Sequence, residues 1–133
     1  MTAILVVEDD AANREVFLAA LRRKGFQVTG VASAKEAFAL SRHHGPIDLL
    51  IADVLLPDGS GVDVALRMRQ WNPNIPILFT SGTPIDYWNE ADARNLQALP
   101  PDSFAFLPKP FICSALTTKV GELLTRVRLP RTA

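Results

Sequence analysis

The feature that most constrains the fold is a nearly unbroken apolar run at residues 47–52, which follows Pro46 and ends in the carboxylate of Asp53. A run of this length between turn signals is typical of a strand that is buried on both faces of a parallel sheet. In open α/β sheets, the chemistry lies beyond the carboxyl ends of the strands. We therefore expect Asp53 to lie where a reactive group would lie.

Other short apolar runs alternate with amphipathic stretches along the whole chain. They predict further strands at residues 3–7, 26–31, 75–79 and 103–107, and helices at about 11–24, 33–43, 60–70, 84–99 and 112–127. Pro84 suits the first turn of the fourth helix. Five strands alternating with five helices predict an α/β fold with a parallel sheet, right-handed crossovers and helices on both faces.

Length and composition predict one domain over residues 1–133, with a core at about 3–127 and a short C-terminal tail. The fourteen basic and fourteen acidic residues cancel, which gives no support to nucleic acid or an anionic membrane as a main partner. A single cysteine excludes an internal disulfide, and no signal peptide or membrane span is recognisable. We expect a cytoplasmic protein without membrane insertion.

Charged and hydroxyl side chains follow the predicted strands. Glu8 and Asp9 follow the first strand, Asp53 the third, Ser81 the fourth and Lys109 the fifth. Three carboxylates at one edge of a sheet would repel one another, and a hard cation such as Mg²⁺ relieves that repulsion. A hydroxyl and an ammonium opposite the metal complete a cradle for a phosphoryl group, with Asp53 as the nucleophile.

Four segments carry this chemistry: VVEDD at residues 6–10, IADVLLPDGSG at 51–61, TSG at 80–82 and FLPKPF at 106–111. Together, in this order and with near-normal spacing, they resemble the receiver domain of two-component response regulators. The resemblance covers essentially the whole chain. It implies a flavodoxin-like doubly wound (βα)5 fold with a five-stranded parallel sheet of strand order 2-1-3-4-5.

The resemblance also implies a phosphorylation site and its metal. Asp53 would accept a phosphoryl group from a phosphohistidine of a sensor histidine kinase or a histidine phosphotransfer protein. Asp9, Asp53 and the backbone carbonyl of Leu55 would bind Mg²⁺, with Glu8 acting through water. Lys109 would pair with the phosphoryl oxygens, and the peptide bond before Pro110 would be cis.

The same resemblance implies a switch between two conformations. Ser81 would move its hydroxyl onto the phosphoryl group, and Phe106 would turn inward as the switch aromatic. Ser81 is preferred over Thr80 because the hydroxyl residue of the family directly precedes a small residue, here Gly82. We expect a single-domain regulator of a bacterial phosphorelay that contacts a downstream protein through its fourth-helix, fifth-strand and last-helix face, as a monomer or weak dimer.

Three departures from the family pattern carry expectations of their own. Phe106 stands where many receivers have tyrosine, so it offers no hydroxyl to a partner. Leu55 cannot hold an attacking water by hydrogen bonding and Thr83 could do so only weakly, so slow hydrolysis of the acyl phosphate is expected unless a partner phosphatase helps. The separation of Ser81 from Lys109 is larger than usual because residues 87–102 are enlarged. Trp88 and Tyr87 in that segment are candidate partner anchors, with ordinary packing as the alternative.

Other functions are compatible with parts of the pattern. A Mg²⁺-dependent phosphohydrolase would also use an aspartyl phosphate, but Val54 and Leu55 stand where a general-acid carboxylate is needed. An FMN carrier would need a hydroxyl-rich phosphate loop where residues 8–10 are acidic. A receiver that docks unphosphorylated, or a fragment of a hybrid kinase, stays open.

Overall fold

The computed structural model describes residues 2–43, 46–84 and 87–128, in which strands and helices nearly alternate. The strands are β1 (Ala3–Val7), β2 (Gln27–Val31), β3 (Leu49–Asp53), β4 (Leu55–Leu56), β5 (Gly59–Ser60), β6 (Ile77–Ser81) and β7 (Phe104–Pro108). The helices are α1 (Ala11–Arg23), α2 (Ala34–His43), α3 (Gly61–Trp71), α4 (Glu90–Gln97) and α5 (Cys113–Arg128), with a 3-10 helix at Pro101–Ser103. Of the expected C-terminal tail, residues 128–133, Arg128 is the last residue of α5, and residues 129–133 lie outside the described ranges.

Five of the strands form one parallel sheet in the order 2-1-3-6-7. The expected order 2-1-3-4-5 is corrected, because two short strands that the sequence did not reveal, β4 and β5, pair as an antiparallel hairpin directly after β3. The sixth and seventh strands therefore stand where the fourth and fifth were expected. The α/β class and the five-stranded parallel sheet are confirmed.

Side chains of the central strands alternate between two apolar layers, which is why these strands read as apolar runs. On one face, Leu5 and Val7 of β1 pack with residues of α2, α3 and α4. On the other, Ile4 and Val6 pack with residues of α1 and α5. All four side chains are almost fully buried. This double burial holds the strands at a fixed register and thereby fixes the positions of the residues that follow them.

Local sequence signals set most helix ends. Asp10 caps α1 by accepting a hydrogen bond from the backbone N–H of Asn13, and Gly25, with φ of +89°, ends the turn after it. The expected start of the fourth helix at Pro84 is wrong. Helix α4 begins at Glu90, because the side chain of Asn89 accepts a hydrogen bond from the backbone N–H of Asp92 and caps the helix there.

Two strands begin two residues later than expected, β3 at Leu49 and β6 at Ile77. For β6 the reason is Pro76, which has no N–H to donate to the ladder. Its carbonyl still accepts a hydrogen bond from the backbone N–H of Leu50. Both strands also end later than expected, so Asp53 and Ser81 are the last residues of their strands rather than the residues that follow them.

Candidate functional site

Three carboxylates meet at the carboxyl edge of the sheet, where β1 and β3 lie side by side. Glu8 and Asp9 follow β1, and Asp53 is the last residue of β3. One oxygen of each carboxylate lies within 4.8 Å of the others. Glu8 is 1% exposed and Asp53 7% exposed, whereas Asp9 faces solvent. The register of two buried strands thus concentrates negative charge at one point.

The ammonium of Lys109 lies directly against two of these carboxylates. Its Nζ donates to Asp53 Oδ2 at 2.7 Å and to Glu8 Oε1 and Oε2 at 2.9 and 3.0 Å. The backbone N–H of Lys109 donates to the carbonyl of Ser81 at 2.8 Å, which fixes the segment after β7 against β6. The Lys109–Pro110 peptide bond is cis, as the resemblance implied. The ammonium of Lys109 therefore reaches the cluster from the end of the edge strand β7, two strands away from β3.

Burial and ion pairing act in opposite directions on the titration of this cluster. Burial raises the pKa of Glu8, and its hydrogen bonds with Lys109 offset part of that rise. Burial alone would lower the pKa of Lys109, but hydrogen bonds to Asp53 and Glu8 outweigh it and raise the pKa. Lys109 is therefore positively charged at neutral pH.

Several neighbours hold Glu8 and Asp53 in place through their backbone or side chains, and sequence reasoning missed two of these neighbours. The guanidinium of Arg14 donates to the backbone carbonyl of Glu8 at 2.8 Å, and the Asn13 amide lies 3.5 Å from Glu8 Oε1. Both residues sit in the first turns of α1, so helical spacing after Asp10 was the available signal. The backbone N–H of Leu55 donates to Asp53 Oδ1 at 3.1 Å.

The hairpin β4–β5 fixes the loop that follows Asp53. A Cβ added to Gly61 would lie 2.2 Å from the backbone carbonyl oxygen of Asp53, so only glycine fits this approach. At the tip, the Asp58 carboxylate accepts hydrogen bonds from the backbone N–H groups of Ala34 and Lys35, which lower its pKa. The loop is thus tied to the start of α2.

Ser81 lies at the end of β6, beside the cluster, but its hydroxyl faces its own loop. Ser81 Oγ donates to the backbone carbonyl of Thr83 at 2.9 Å and accepts from the backbone N–H of Thr83 at 3.0 Å. The neighbouring Thr80 is buried, as expected from strand alternation. Of the two hydroxyl residues, Ser81 is the one that shares a cavity wall with Lys109.

Phe106 lies on β7 and is 36% exposed. Its ring stacks on Phe79 at 5.8 Å between centroids and meets Phe104 and Trp88 edge-on, both at 5.5 Å. Trp88 packs against the core, whereas its neighbour Tyr87 is 79% exposed. The aromatic residues of the enlarged segment therefore divide into one that packs on Phe106 and one that faces solvent.

The donor set fits a hard divalent cation. Three carboxylates and one ammonium leave two negative charges in excess, and all three carboxylates offer the oxygen ligands that Mg²⁺ prefers. The exposed Asp9 gives the cluster an open side from which an ion and its waters could enter. Among the described residues, Glu8, Asp9 and Asp53 are the one group of three or more ligand side chains close enough to share an ion.

Comparison with known proteins gives one consistent result. The sequence model of the response regulator receiver domain matches residues 4–121. The sensor kinase CckA of Brucella abortus (strain 2308) is 37% identical over 124 residues, which is 92% of this chain and 12% of that protein. The DNA-binding transcriptional regulator NtrC of a Bradyrhizobium species is 33% identical over 92% of this chain and 24% of that protein. The chain therefore spans a small part of these relatives.

Solved structures agree with the sequence relatives. A response regulator receiver protein from Sinorhizobium medicae superimposes with a TM-score of 0.82 at 30% identity, covering 96% of this chain and 97% of that one. The receiver domain of the hybrid histidine kinase CckA superimposes with a TM-score of 0.73 at 31% identity, covering 92% of this chain and 98% of that one.

Within the described residues, no helix has the length and apolar character needed to cross a membrane.

Proposed function

The chain belongs to the family of response regulator receiver domains, and from this premise we propose that it accepts a phosphoryl group on Asp53 in a two-component phosphorelay. The observation that carries the proposal is the 2.7 Å contact between the Lys109 ammonium and Asp53 Oδ2. A cation at this distance screens the carboxylate from an approaching anionic phosphoryl group. Asp53 is also buried enough for that charge to act strongly.

The proposed step is an in-line transfer onto Asp53. A carboxylate oxygen forms a P–O bond while the P–N bond to the donor's phosphohistidine breaks, and the electron pair of that bond stays on the imidazole nitrogen. Lys109 then pairs with the phosphoryl oxygens, and the backbone N–H of Leu55 holds the carboxylate in line. The product is an acyl phosphate.

Mg²⁺ is the proposed cofactor, held by Asp9, Asp53 and the backbone carbonyl of Leu55. When bound, the ion supplies positive charge to the phosphoryl oxygens. Glu8 is proposed to act through water, which is supported by the engagement of both its carboxylate oxygens with Lys109. The two excess negative charges of the cluster support a divalent ion.

Ser81 and Phe106 are the proposed switch residues. In this structure the Ser81 hydroxyl bonds to Thr83 rather than to a carboxylate, which is the arrangement expected before phosphorylation. A phosphoryl group on Asp53 offers that hydroxyl a charged acceptor, and charged acceptors make the stronger hydrogen bonds. Phosphorylation therefore shifts the population towards a state in which Ser81 and Phe106 have moved.

The proposed partners are a sensor histidine kinase or histidine phosphotransfer protein as donor, and a protein that contacts α4, β7 and α5 as target. The chain is a signalling domain rather than a turnover enzyme. We place its action in the cytoplasm, where a kinase has ATP, and treat residues 1–133 as one receiver unit. Four apolar side chains of α5 are buried in the core, Leu116, Val120, Leu123 and Leu124, which supports a monomer or weak dimer.

Incubation with acetyl phosphate and Mg²⁺, followed by intact mass measurement, tests the proposal. The wild type should gain about 80 Da, one phosphoryl group, and lose this gain when EDTA is present. Asp53→Asn should not gain mass, whereas Asp63→Asn, a matched change at an exposed aspartate of α3, should behave like the wild type. Equal mass gain in wild type and Asp53→Asn would contradict the assignment, and steady hydrolysis of a phosphomonoester would favour a phosphohydrolase.

A further inference from the structure

Three hydrogen bonds meet at the backbone of Thr83. Ser81 Oγ donates to the Thr83 carbonyl at 2.9 Å and accepts from the Thr83 N–H at 3.0 Å. The indole Nε1–H of Trp88 donates to the same carbonyl oxygen at 3.0 Å. Two side chains thus share one acceptor, although Ser81 is the last residue of β6 and Trp88 lies seven residues further along the chain.

Trp88 also contacts the second switch residue. Its ring meets Phe106 at 5.5 Å with an interplanar angle of 62°. An open cavity of about 430 Å³ lies between these groups, and its walls include Ser81, Thr83, Trp88 and Phe106. The cavity gives both Ser81 and Phe106 room to change rotamer. Trp88 is therefore linked to both proposed switch residues. It donates to the Thr83 carbonyl, to which Ser81 also donates, and its ring packs on Phe106.

We infer that Trp88 is a positioning residue that holds Ser81 turned away from Asp53, an inference that rests on the switch role proposed above for Ser81. A serine hydroxyl has one proton, so Ser81 donates either to Thr83 or to a phosphoryl oxygen. Phosphorylation must therefore break the bond to the Thr83 carbonyl. By fixing that carbonyl, the indole N–H of Trp88 stabilises the resting arrangement.

The sign of the effect follows from linkage. A phosphoryl mimic binds better to the state in which Ser81 has turned towards Asp53, so its affinity includes the cost of leaving the resting state. Because Trp88 packs on Phe106, which moves in the switched state, the inference takes the indole bond to Thr83 to be made in the resting arrangement and given up in the switched one. Removing the indole hydrogen bond then lowers the cost of leaving the resting state, and affinity for the mimic rises. Damage to the fold would lower the affinity instead.

Trp88→Phe tests the inference because it removes the N–H donor and keeps an aromatic ring against Phe106. Trp71→Phe is the matched control, since Trp71 is exposed at the end of α3. The probe is beryllofluoride with Mg²⁺, titrated calorimetrically. The Kd of Trp88→Phe should fall about fivefold, as expected for one lost hydrogen bond, and that of Trp71→Phe should equal the wild-type value.

A second measurement keeps Trp88 in place. In Trp71→Phe, Trp88 is the remaining one of the chain's two tryptophans, and its emission should change on saturation with beryllofluoride. Unchanged emission, or a Kd for Trp88→Phe equal to or above that of the wild type, overturns the inference. If this occurs while the wild type still gains a phosphoryl group from acetyl phosphate, the proposed function stands. If the wild type gains none, both fall.

Discussion

The acidic pocket of Glu8, Asp9, Asp53 and Lys109 differs in construction from the segment at residues 82–103 that joins β6 to β7. In the pocket, each side chain stands at or just beyond the end of a sheet strand and is positioned by a backbone ladder. In the joining segment, Trp88 and α4 are positioned by side-chain bonds and a helix cap. The comparison indicates that the sheet fixes the positions of the pocket residues, whereas local side-chain bonds fix the connection, which is the kind of segment that tolerates change in length.

The largest expected effect comes from removing the cation of the pocket. Lys109→Met leaves three carboxylates facing an anionic phosphoryl group, so the rate of phosphorylation by acetyl phosphate should fall about 100-fold. Lys119→Met is the control, because Lys119 lies on α5 and pairs with Glu122 at the surface. Rates followed by intact mass test this. A rate within twofold of the wild type for Lys109→Met would show that the Lys109 ammonium is not needed for phosphorylation.

A smaller effect is expected at Leu55, whose side chain is 73% exposed two residues after Asp53. Leu55→Asn adds a polar group able to orient a water against the acyl phosphate. Loss of the phosphoryl group should become roughly tenfold faster, below the range of full general acid–base catalysis. Val16→Asn, an equal change at an exposed site on α1, should leave the lifetime unchanged. An unchanged lifetime in Leu55→Asn would show that water orientation does not limit hydrolysis.

In the joining segment, the expected effect is on stability and not on chemistry. Asn89→Ala removes the cap of α4 and should lower the free energy of unfolding by about 1 kcal/mol, with the phosphorylation rate unchanged. Asn95→Ala within the same helix should be neutral or slightly stabilising, because alanine has the higher helix propensity. Denaturant unfolding measures both. A large fall in the phosphorylation rate of Asn89→Ala would show that the joining segment affects the chemistry as well as the stability.

The smallest expected effect concerns Asp58, which supports the pocket from the hairpin tip. Backbone N–H groups of Ala34 and Lys35 lower its folded pKa below the ordinary value of 3.8. Its contribution to stability is therefore present above that value and is lost as the pH falls through the lower folded pKa. Asp58→Asn should lower the Tm at pH 7, and this difference from the wild type should shrink below about pH 4. A Tm difference that grows on acidification would contradict a lowered folded pKa for Asp58.

The residues of the pocket could be predicted from the sequence because parallel strands bring their carboxyl ends to one edge of the sheet. Asp53, Asp9 and Lys109 were assigned to that edge from the apolar runs before them, and they lie together. Asn13 and Arg14 were missed, because helical spacing after Asp10 places them in the first turns of α1 but does not show that those turns face Glu8. Their bonds to Glu8 depend on how α1 packs.

The joining segment at residues 82–103 could not be predicted in the same way. Pro84 and the cap at Asn89 are both valid helix starts, and the structure uses the second. The hairpin β4–β5 has two residues in each strand, too few for an alternating pattern, so the strand numbering was wrong. The hydrogen bond from Trp88 to Thr83 depends on the course of a loop, which local propensity does not fix.

The most direct test locates the phosphoryl group by residue. The protein is treated with acetyl phosphate and Mg²⁺, the acyl phosphate is reduced with borohydride, and the reduced position is found by peptide mass mapping. Reduction confined to residue 53 is the predicted result. Reduction at Glu8 or Asp9, or at no carboxylate, would contradict the claim that the sheet edge presents Asp53 as the phosphoryl acceptor.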